Sequence, residues 1–259
     1  MLGSIAGDVI GSVHERAGTK TKDFPLFVAG SRFTDDTVLT VAVAEKLLRG
    51  GSYVDCFHSY FHAYPHAGYG ATFIQWALRR DRAPYNSWGN GSAMRVGPVA
   101  LALESFDEVL TEARASAEVT HNHSEGIKGA QATAAAIFLA RRGASKAEIK
   151  AEIEDRFGYD LSRRLDDVRD GYSFDVSCQG SVPQSILAFL EAQDYEDALR
   201  NAISLGGDAD TMACIAGGIA EAFFGGVPEG IRNSTIARLD QHLAMIIAEF
   251  ANRFMPLRP

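Results

Sequence analysis

The stretch Gly3-Ser4-Ile5-Ala6-Gly7-Asp8-Val9-Ile10-Gly11 decides the fold. Its glycines recur every four residues, so in a helix they fall on nearly one face, where the missing side chains let a second backbone come close. A glycine inside a helix costs roughly 1 kcal/mol against alanine, so three in one helix imply that close packing or ligand access offsets the penalty. Two later segments have similarly thin surfaces, one at Ala132 and Ala134 to Ala136, the other at Ala216 to Gly218 and Ala220. These three helices are expected to form the central layer. Small-residue spacing also drives helix pairing in lipid, but no apolar run here approaches the roughly 20 residues that a bilayer needs. The longest runs are interrupted by charge, as at Lys128 and Glu221.

Outward from this segment, apolar residues keep helical spacing through most of the chain, punctuated by Gly, Pro, Asn and Ser. The pattern predicts an all-α protein with helices over 2–13, 35–49, 53–63, 70–80, 92–104, 106–118, 125–142, 145–157, 161–170, 182–193, 195–204, 210–224 and 236–254. Only Phe174 to Cys178 reads as extended. The absence of a low-complexity linker or a fixed-period repeat favours one domain over 1–259, with the polar span 144–170 as a peripheral helical insert.

Composition narrows the function classes. With 46% hydrophobic and 22% charged residues, the 259-residue chain can bury a large core. A formal net charge of -8 argues against sequence-independent binding to a nucleic-acid backbone, which needs clustered Lys and Arg. The three cysteines, Cys56, Cys178 and Cys214, lack CxxC spacing, which argues against a disulfide scaffold or a zinc ribbon and for a reducing compartment. Met1 to Gly11 has no basic flank and carries Asp8 in its apolar run, so it reads as neither a signal nor a transit peptide, and a cytoplasmic protein is expected.

Phe33-Thr34-Asp35-Asp36-Thr37 runs directly into an amphipathic helix. Taken alone, this is ordinary N-cap chemistry, since Thr or Asp satisfies free N–H groups and acids suit the positive end of the helix dipole. A second copy weakens that reading, because Gly206-Gly207-Asp208-Ala209-Asp210-Thr211 again sets two carboxylates and a threonine at a helix start. If the two converge, like charges within a few Å must protonate or recruit cations. All-oxygen ligands select a hard ion such as Mg²⁺, Mn²⁺ or Ca²⁺. The calcium-loop pattern with its twelfth-position Glu is missing, which excludes an EF-hand. Glu15, isolated after the first helix, reads either as a solvated helix end or as a fifth carboxylate of the group.

Trp88-Gly89-Asn90-Gly91-Ser92-Ala93-Met94-Arg95 places a glycine-rich turn before a helix whose N–H groups can receive a phosphate oxygen, although the same residues also make plain turns and caps. The turn lacks both the Rossmann fingerprint and the Lys-Ser/Thr of a P-loop. Thr120-His121-Asn122-His123-Ser124 separates two helices; without a third nitrogen or sulfur ligand, a substrate contact or a helix cap is favoured over a transition-metal site.

These motifs together resemble the ADP-ribosylglycohydrolase family, with matches at 3–11, 33–37, 89–95, 120–121 and 206–211. The resemblance implies a compact orthogonal multi-helix fold around a binuclear Mg²⁺ or Mn²⁺ centre. By motif position it implies Thr34, Asp35, Asp36, Asp208, Asp210 and Thr211 as metal ligands. Glu15 looks like the glutamate that approaches the metals or the reacting ribose. Asn90, Gly91 and Ser92 would line the diphosphate and ribose side, and His121 would reach the substrate. The chain is shorter than the longer members, and His123 has no counterpart role.

The implied reaction is metal-dependent hydrolysis of an N- or O-glycosidic bond between ADP-ribose and a modified protein side chain or small conjugate, with nucleic acid entering only as a modified end. Glu15 or Asp36 is the candidate for proton transfer. Competing readings are a binuclear-metal nucleotide phosphohydrolase and a non-catalytic ADP-ribose-binding or structural protein of the same fold. The linkage attacked and the oligomeric state are not legible in the residues.

Overall fold

A computed structural model describes residues 1–255. The elements in order are α1 (Leu2–Gly11), α2 (Asp35–Arg49), α3 (Tyr53–Ala63), α4 (Ala71–Arg79), α5 (Gly91–Met94), α6 (Gly97–Ala102), α7 (Phe106–Glu118) and α8 (Ser124–Arg141). They continue with α9 (Lys146–Phe157), α10 (Leu165–Arg169), α11 (Cys178–Leu190), α12 (Tyr195–Ile203), α13 (Ala209–Phe224), α14 (Glu229–Ile236) and α15 (Gln241–Phe254). Among the described residues there is no sheet, and the fold is all-α as expected; a single antiparallel bridge joins Gly89 to Ser177 within the stretch that reads as extended. No described helix is long and apolar enough to cross a membrane.

The glycine face does what its spacing implies. The most extensive helix pair is α1 on α13, and α13 is also packed by α8, α11 and α12. A Cβ at Gly3 would stand 2.4 Å from the Gly217 carbonyl oxygen, one at Gly7 2.1 Å from that of Ala213, and one at Gly11 2.5 Å from the Asp210 Cα. Real Cβ atoms do not come so near to backbone, so the approach exists only because these residues have none. Gly217 returns the same contact against the Gly3 carbonyl. The first N–H groups of α1 lack intrahelical partners, and Glu221 of α13 accepts one of them, from Gly3, at 2.8 Å. Against this layer, α2 packs on α1, α3, α6 and α15.

The boundaries differ from the sequence pattern in four places. The helix expected over 92–104 breaks at Arg95 and Val96 into α5 and α6, because Pro98 suits the first turn of a new helix better than the interior of an old one. The segment expected over 161–170 shrinks to α10. The helix expected to begin at 182 begins at Cys178, capped by the Ser177 hydroxyl, and carries Pro183 inside. The helix expected over 236–254 begins only at Gln241 as α15, with Asp240 capping it through the Leu243 N–H at 2.9 Å, and α14 over Glu229–Ile236 lies in a stretch for which no helix is expected. The span 144–170 is not merely peripheral, since α9 lies on α8 with Ile149 and Ile153 fully buried.

The glycine contact generates a paired prediction. Gly7→Ala drives a Cβ into backbone, where no rotamer relieves it, and is expected to destabilise by about 3 kcal/mol or more, read by denaturant unfolding. Gly230→Ala, in α14 with nothing within 4 Å of the added methyl, is expected to stabilise by up to about 1 kcal/mol. Equal effects at both sites would contradict the packing account.

Candidate active site

Two helix starts build one end of the site. Thr34 is extended, and its Oγ1 accepts from the Asp36 N–H at 3.3 Å, so it does cap α2. The main cap comes from outside the helix. Asp8 of α1 accepts from the Thr34 N–H at 2.9 Å, the Thr37 N–H at 3.1 Å, the Thr34 hydroxyl at 2.7 Å and the Thr37 hydroxyl. A fully buried carboxylate thereby takes the free N–H groups of the first turn and fixes α2 against α1.

At the other start, Asp208 is the N-cap of α13 but makes no capping bond; its Oδ2 instead accepts from Asn90 Nδ2 at 2.8 Å. The preceding Gly206 has φ +67°, in the left-handed region that glycine tolerates. Lys20 Nζ pins this turn by donating to the carbonyls of Leu205 at 2.6 Å, Arg169 at 2.6 Å and Tyr172 at 2.5 Å. Thr211 Oγ1 donates to Asp36 Oδ2 at 3.3 Å, joining the two starts across 175 positions.

The carboxylates gather in two trios whose ligand atoms lie within 4.8 Å of one another: Asp8, Asp36 and Asp210 in one, Glu15, Asp208 and Asp210 in the other. Asp210 belongs to both. Asp36 Oδ1 is buried with no hydrogen-bond donor. Burial, and then the Asp210 charge, push Asp8 up to about 7 and push Asp35, Asp36 and Asp208 well above the usual carboxylate range. Glu15, half-buried, is raised by the same two causes and drawn back by Arg16 and Arg32. Asp35 sits at the edge, in neither trio, with its N–H on the Ala67 carbonyl at 2.8 Å.

From the acids a cavity of about 720 Å³ runs to the glycine turn. Thr34, Asp35, Asp36, Asp208, Asp210, Thr211, Glu15, Asn90, Gly91 and His121 all line it, so the residues singled out in the sequence share one space. Ser92 is the exception. Its hydroxyl is fully buried and donates to the Gly126 carbonyl at 2.7 Å, tying the turn to α8 rather than facing the cavity. His121 Nε2 would lie 3.2 Å from a Cβ at Gly91, so the glycine leaves the ring edge open. His123 caps α8, its Nδ1 accepting from the Glu125 N–H at 3.1 Å.

Five residues escape the sequence reading. Asp8 reads there as a stray charge in an apolar run, although a lone acid beside a close-packing glycine is itself a sign of a buried partner. Arg95 lines the cavity and is fully buried, and Tyr85 lines it beside His121. Phe174 lines the mouth 54% exposed, while Trp88, 48% exposed, follows the lining residue Ser87.

Comparison with known proteins gives the family. A model of the ADP-ribosylglycohydrolase family matches residues 1–258. ADP-ribosylhydrolase ARH3 from Mus musculus is 30% identical, over 90% of this chain and 85% of its own. That alignment spans 316 positions, more than the 259 residues here, so the relative carries additional residues between matched segments. ADP-ribosylarginine hydrolase Tri1 from Pseudomonas putida is 24% identical over 87% of this chain and 69% of its own. A solved structure titled ADP-ribosylglycohydrolase-related protein complex superposes with a TM-score of 0.69 at 26% identity, covering 98% of this chain and 97% of that one. The chain therefore belongs to the ADP-ribosylglycohydrolase family and is a glycohydrolase enzyme.

Proposed function

We propose that the protein hydrolyses the N- or O-glycosidic bond joining ADP-ribose to a modified protein side chain or small conjugate, releasing ADP-ribose, with two divalent cations, Mg²⁺ or Mn²⁺, held between α2 and α13. The observation that carries this is the pair of carboxylate trios sharing Asp210, set at one end of a cavity whose other end is a glycine turn. The donor set fits hard cations. It is all oxygen, and the partnerless Asp36 Oδ1 is a buried acceptor of the kind a cation satisfies.

Asp36, Asp208 and Asp210 would hold the ions, with Thr34, Asp35 and Thr211 at the rim. Asp8, already taking donors on both oxygens, serves as the buttress of α2 rather than as a ligand. Divalent cations there supply Lewis-acid chemistry and charge compensation. Glu15 is the better placed of the two candidates for proton transfer. It lines the cavity, is only half-buried, and keeps its proton to higher pH than a free glutamate, whereas Asp36 is buried between the starts of α2 and α13 and accepts from Thr211.

After Asn90 the N–H groups of Ala93 and Met94 donate to the Asn90 carbonyl, while those of Gly91 and Ser92 make no bond among the described residues and suit a diphosphate oxygen, which would hold the anomeric carbon near the carboxylates. Trp88 and Phe174 offer exposed aromatic surface of the kind a purine base stacks on.

A panel of ADP-ribosyl conjugates with Mg²⁺ or Mn²⁺, with the product identified, tests this reading. Free ADP-ribose is expected; inorganic phosphate would point to a phosphohydrolase instead, and binding without turnover of any conjugate to a non-catalytic protein. Asp210→Asn is expected to lower turnover by at least about a hundredfold with the fold retained, as the loss of a central transition-state electrostatic group does. Full activity of that variant, or activity in excess chelator, would remove the metal role.

The raised carboxylates also set a pH dependence. An acid whose folded pKa exceeds its unfolded value of about 4 binds its proton more tightly when folded, so the stability is present below that value and lost as pH rises through the folded one. The metal-free protein is therefore expected to lose Tm from pH 4 upward, with Asp8 contributing around its folded value of about 7. Added Mg²⁺ or Mn²⁺ should flatten the loss. A Tm that rises over this range without metal, or falls equally with it, would contradict the arrangement.

A further inference from the structure

Lys20 joins segments that lie far apart in sequence. Its ammonium group donates to the carbonyls of Arg169 at 2.6 Å, Tyr172 at 2.5 Å and Leu205 at 2.6 Å, so all three of its protons have acceptors. None of these carbonyls has another hydrogen-bond donor among the described residues. A Cβ at Gly206 would stand 2.8 Å from Lys20 Cε, so the glycine that makes the turn also admits the lysine stem. Hydrogen bonds from a charged donor are stronger than neutral ones, which makes the ammonium a firm tie although the residue lies at the surface.

Each tied segment carries part of the cavity. Leu205 leads into the turn that ends at Asp208, and Tyr172 into the stretch of Phe174 and Val176, which line the mouth. Lys20 itself follows Glu15 along an irregular segment drawn together by the contact of His14 Nδ1 with Thr19 Oγ1 at 2.8 Å. The far side of the cavity completes a ring of contacts. The Val176 carbonyl accepts from the Asn90 N–H at 2.8 Å, and Asn90 Nδ2 donates to Asp208 Oδ2 at 2.8 Å. A Cβ at Gly207 would stand 2.4 Å from Tyr172 Cε1, so the tyrosine ring rests directly on the turn before Asp208. Asp208 makes no capping bond, so its direction is set by these neighbours: Asn90 at its oxygen, and behind it the turn that Lys20 holds.

We propose that Lys20 is a positioning residue whose ammonium group fixes the Asp208 turn, the Glu15 segment and the Gly89 to Gly91 turn in one arrangement, so that losing this single cation weakens the binding of both a divalent cation and ADP-ribose. The inference rests on the reading of the acids as a cation site and of the cavity as one for ADP-ribose. Lys20 does not line the cavity, so it acts through the backbone it ties and not by touching a ligand.

Binding to the full chain tests this without relying on turnover. Mn²⁺ affinity is read from the paramagnetic resonance of the free ion, ADP-ribose affinity by calorimetry, and the unfolding temperature in parallel. Lys20→Ala is expected to weaken Mn²⁺ binding by about tenfold, as the loss of a group that orients a metal ligand does. ADP-ribose binding is expected to weaken by about three- to tenfold. Propylammonium has the size and charge of the group removed and is expected to restore both affinities, whereas propanol at matched ionic strength restores neither. A folded Lys20→Ala with wild-type affinities overturns the proposal, as does equal rescue by propanol. If the variant does not fold, the wild-type ammonium decides. Held by three carbonyls, its ¹⁵Nζ signal, assigned through its own side-chain carbons, is expected to exchange its protons with water more slowly than those of free surface lysines; equally fast exchange overturns the clamp. Wild-type protein that binds neither Mn²⁺ nor ADP-ribose overturns the reading of the site, whereas the ammonium signal sustains or overturns the clamp on its own.

Discussion

The contact of α1 with α13, backbone against backbone along Gly3, Gly7 and Gly11, is the constraint on which the rest of the structure depends. Helix axes separated by ordinary side chains lie roughly 8–10 Å apart, and glycine faces allow closer approach. The closeness has a chemical result. Asp8 lies between Gly7 and Gly11 in sequence and Asp210 lies against Gly11, so bringing the backbones together also brings their carboxylates together. From there Asp8 reaches the first turn of α2 and fixes the second acidic segment in place. One packing choice thus determines the geometry of three elements.

The two acidic helix starts share a motif but use it differently. Thr34 does the capping work that its residue type suggests, yet most of the α2 terminus is satisfied by Asp8 from another helix. Asp208 stands at an N-cap position and declines the bond, turning to Asn90 instead. Giving up a cap costs about 1 kcal/mol. Crowding it with four other acids costs more, as the displaced protonation of Asp8, Asp35, Asp36 and Asp208 records. A cluster so unfavourable when ionised must either keep its protons or hold cations.

Much of this was legible in the residues because two physical signals are strong. Helical periodicity over long amphipathic segments such as α2 and α7 leaves little freedom of assignment, and small-residue spacing points to α1, α8 and α13 as a central layer, within which the structure gives α1 on α13 as the closest pair. The weaker places are those where the signal is weak. In α14 only Ile231 and Thr235 are buried, so its pattern is faint against Arg232, Asn233 and Ser234. The break at Arg95 and Val96 was hidden because both flanking segments carry apolar residues at compatible spacing. Ser92 was read toward the cavity because sequence gives the residue type but not the side on which its hydroxyl finds a partner. For Asp8 the neighbouring glycine hints at burial, but its part as the cap of α2 depends on Thr34 and Thr37, which spacing alone does not bring near.

The charges of the cavity are divided in a way that its composition alone would not suggest. One end collects carboxylates, and in a chain of net charge -8 an anionic ligand approaching it must find compensation elsewhere. Two exposed arginines, Arg16 and Arg32, line the cavity beside Glu15. Arg95 differs from them by lying wholly beneath the wall, fastened to Ser116, Thr120 and Phe57, while its field still reaches Asp35 and His121. In a medium of low polarisability a charge acts over several Å without contact. A buried cation therefore adds positive charge behind the wall at the end of the cavity away from the acid trios, without occupying an acid itself.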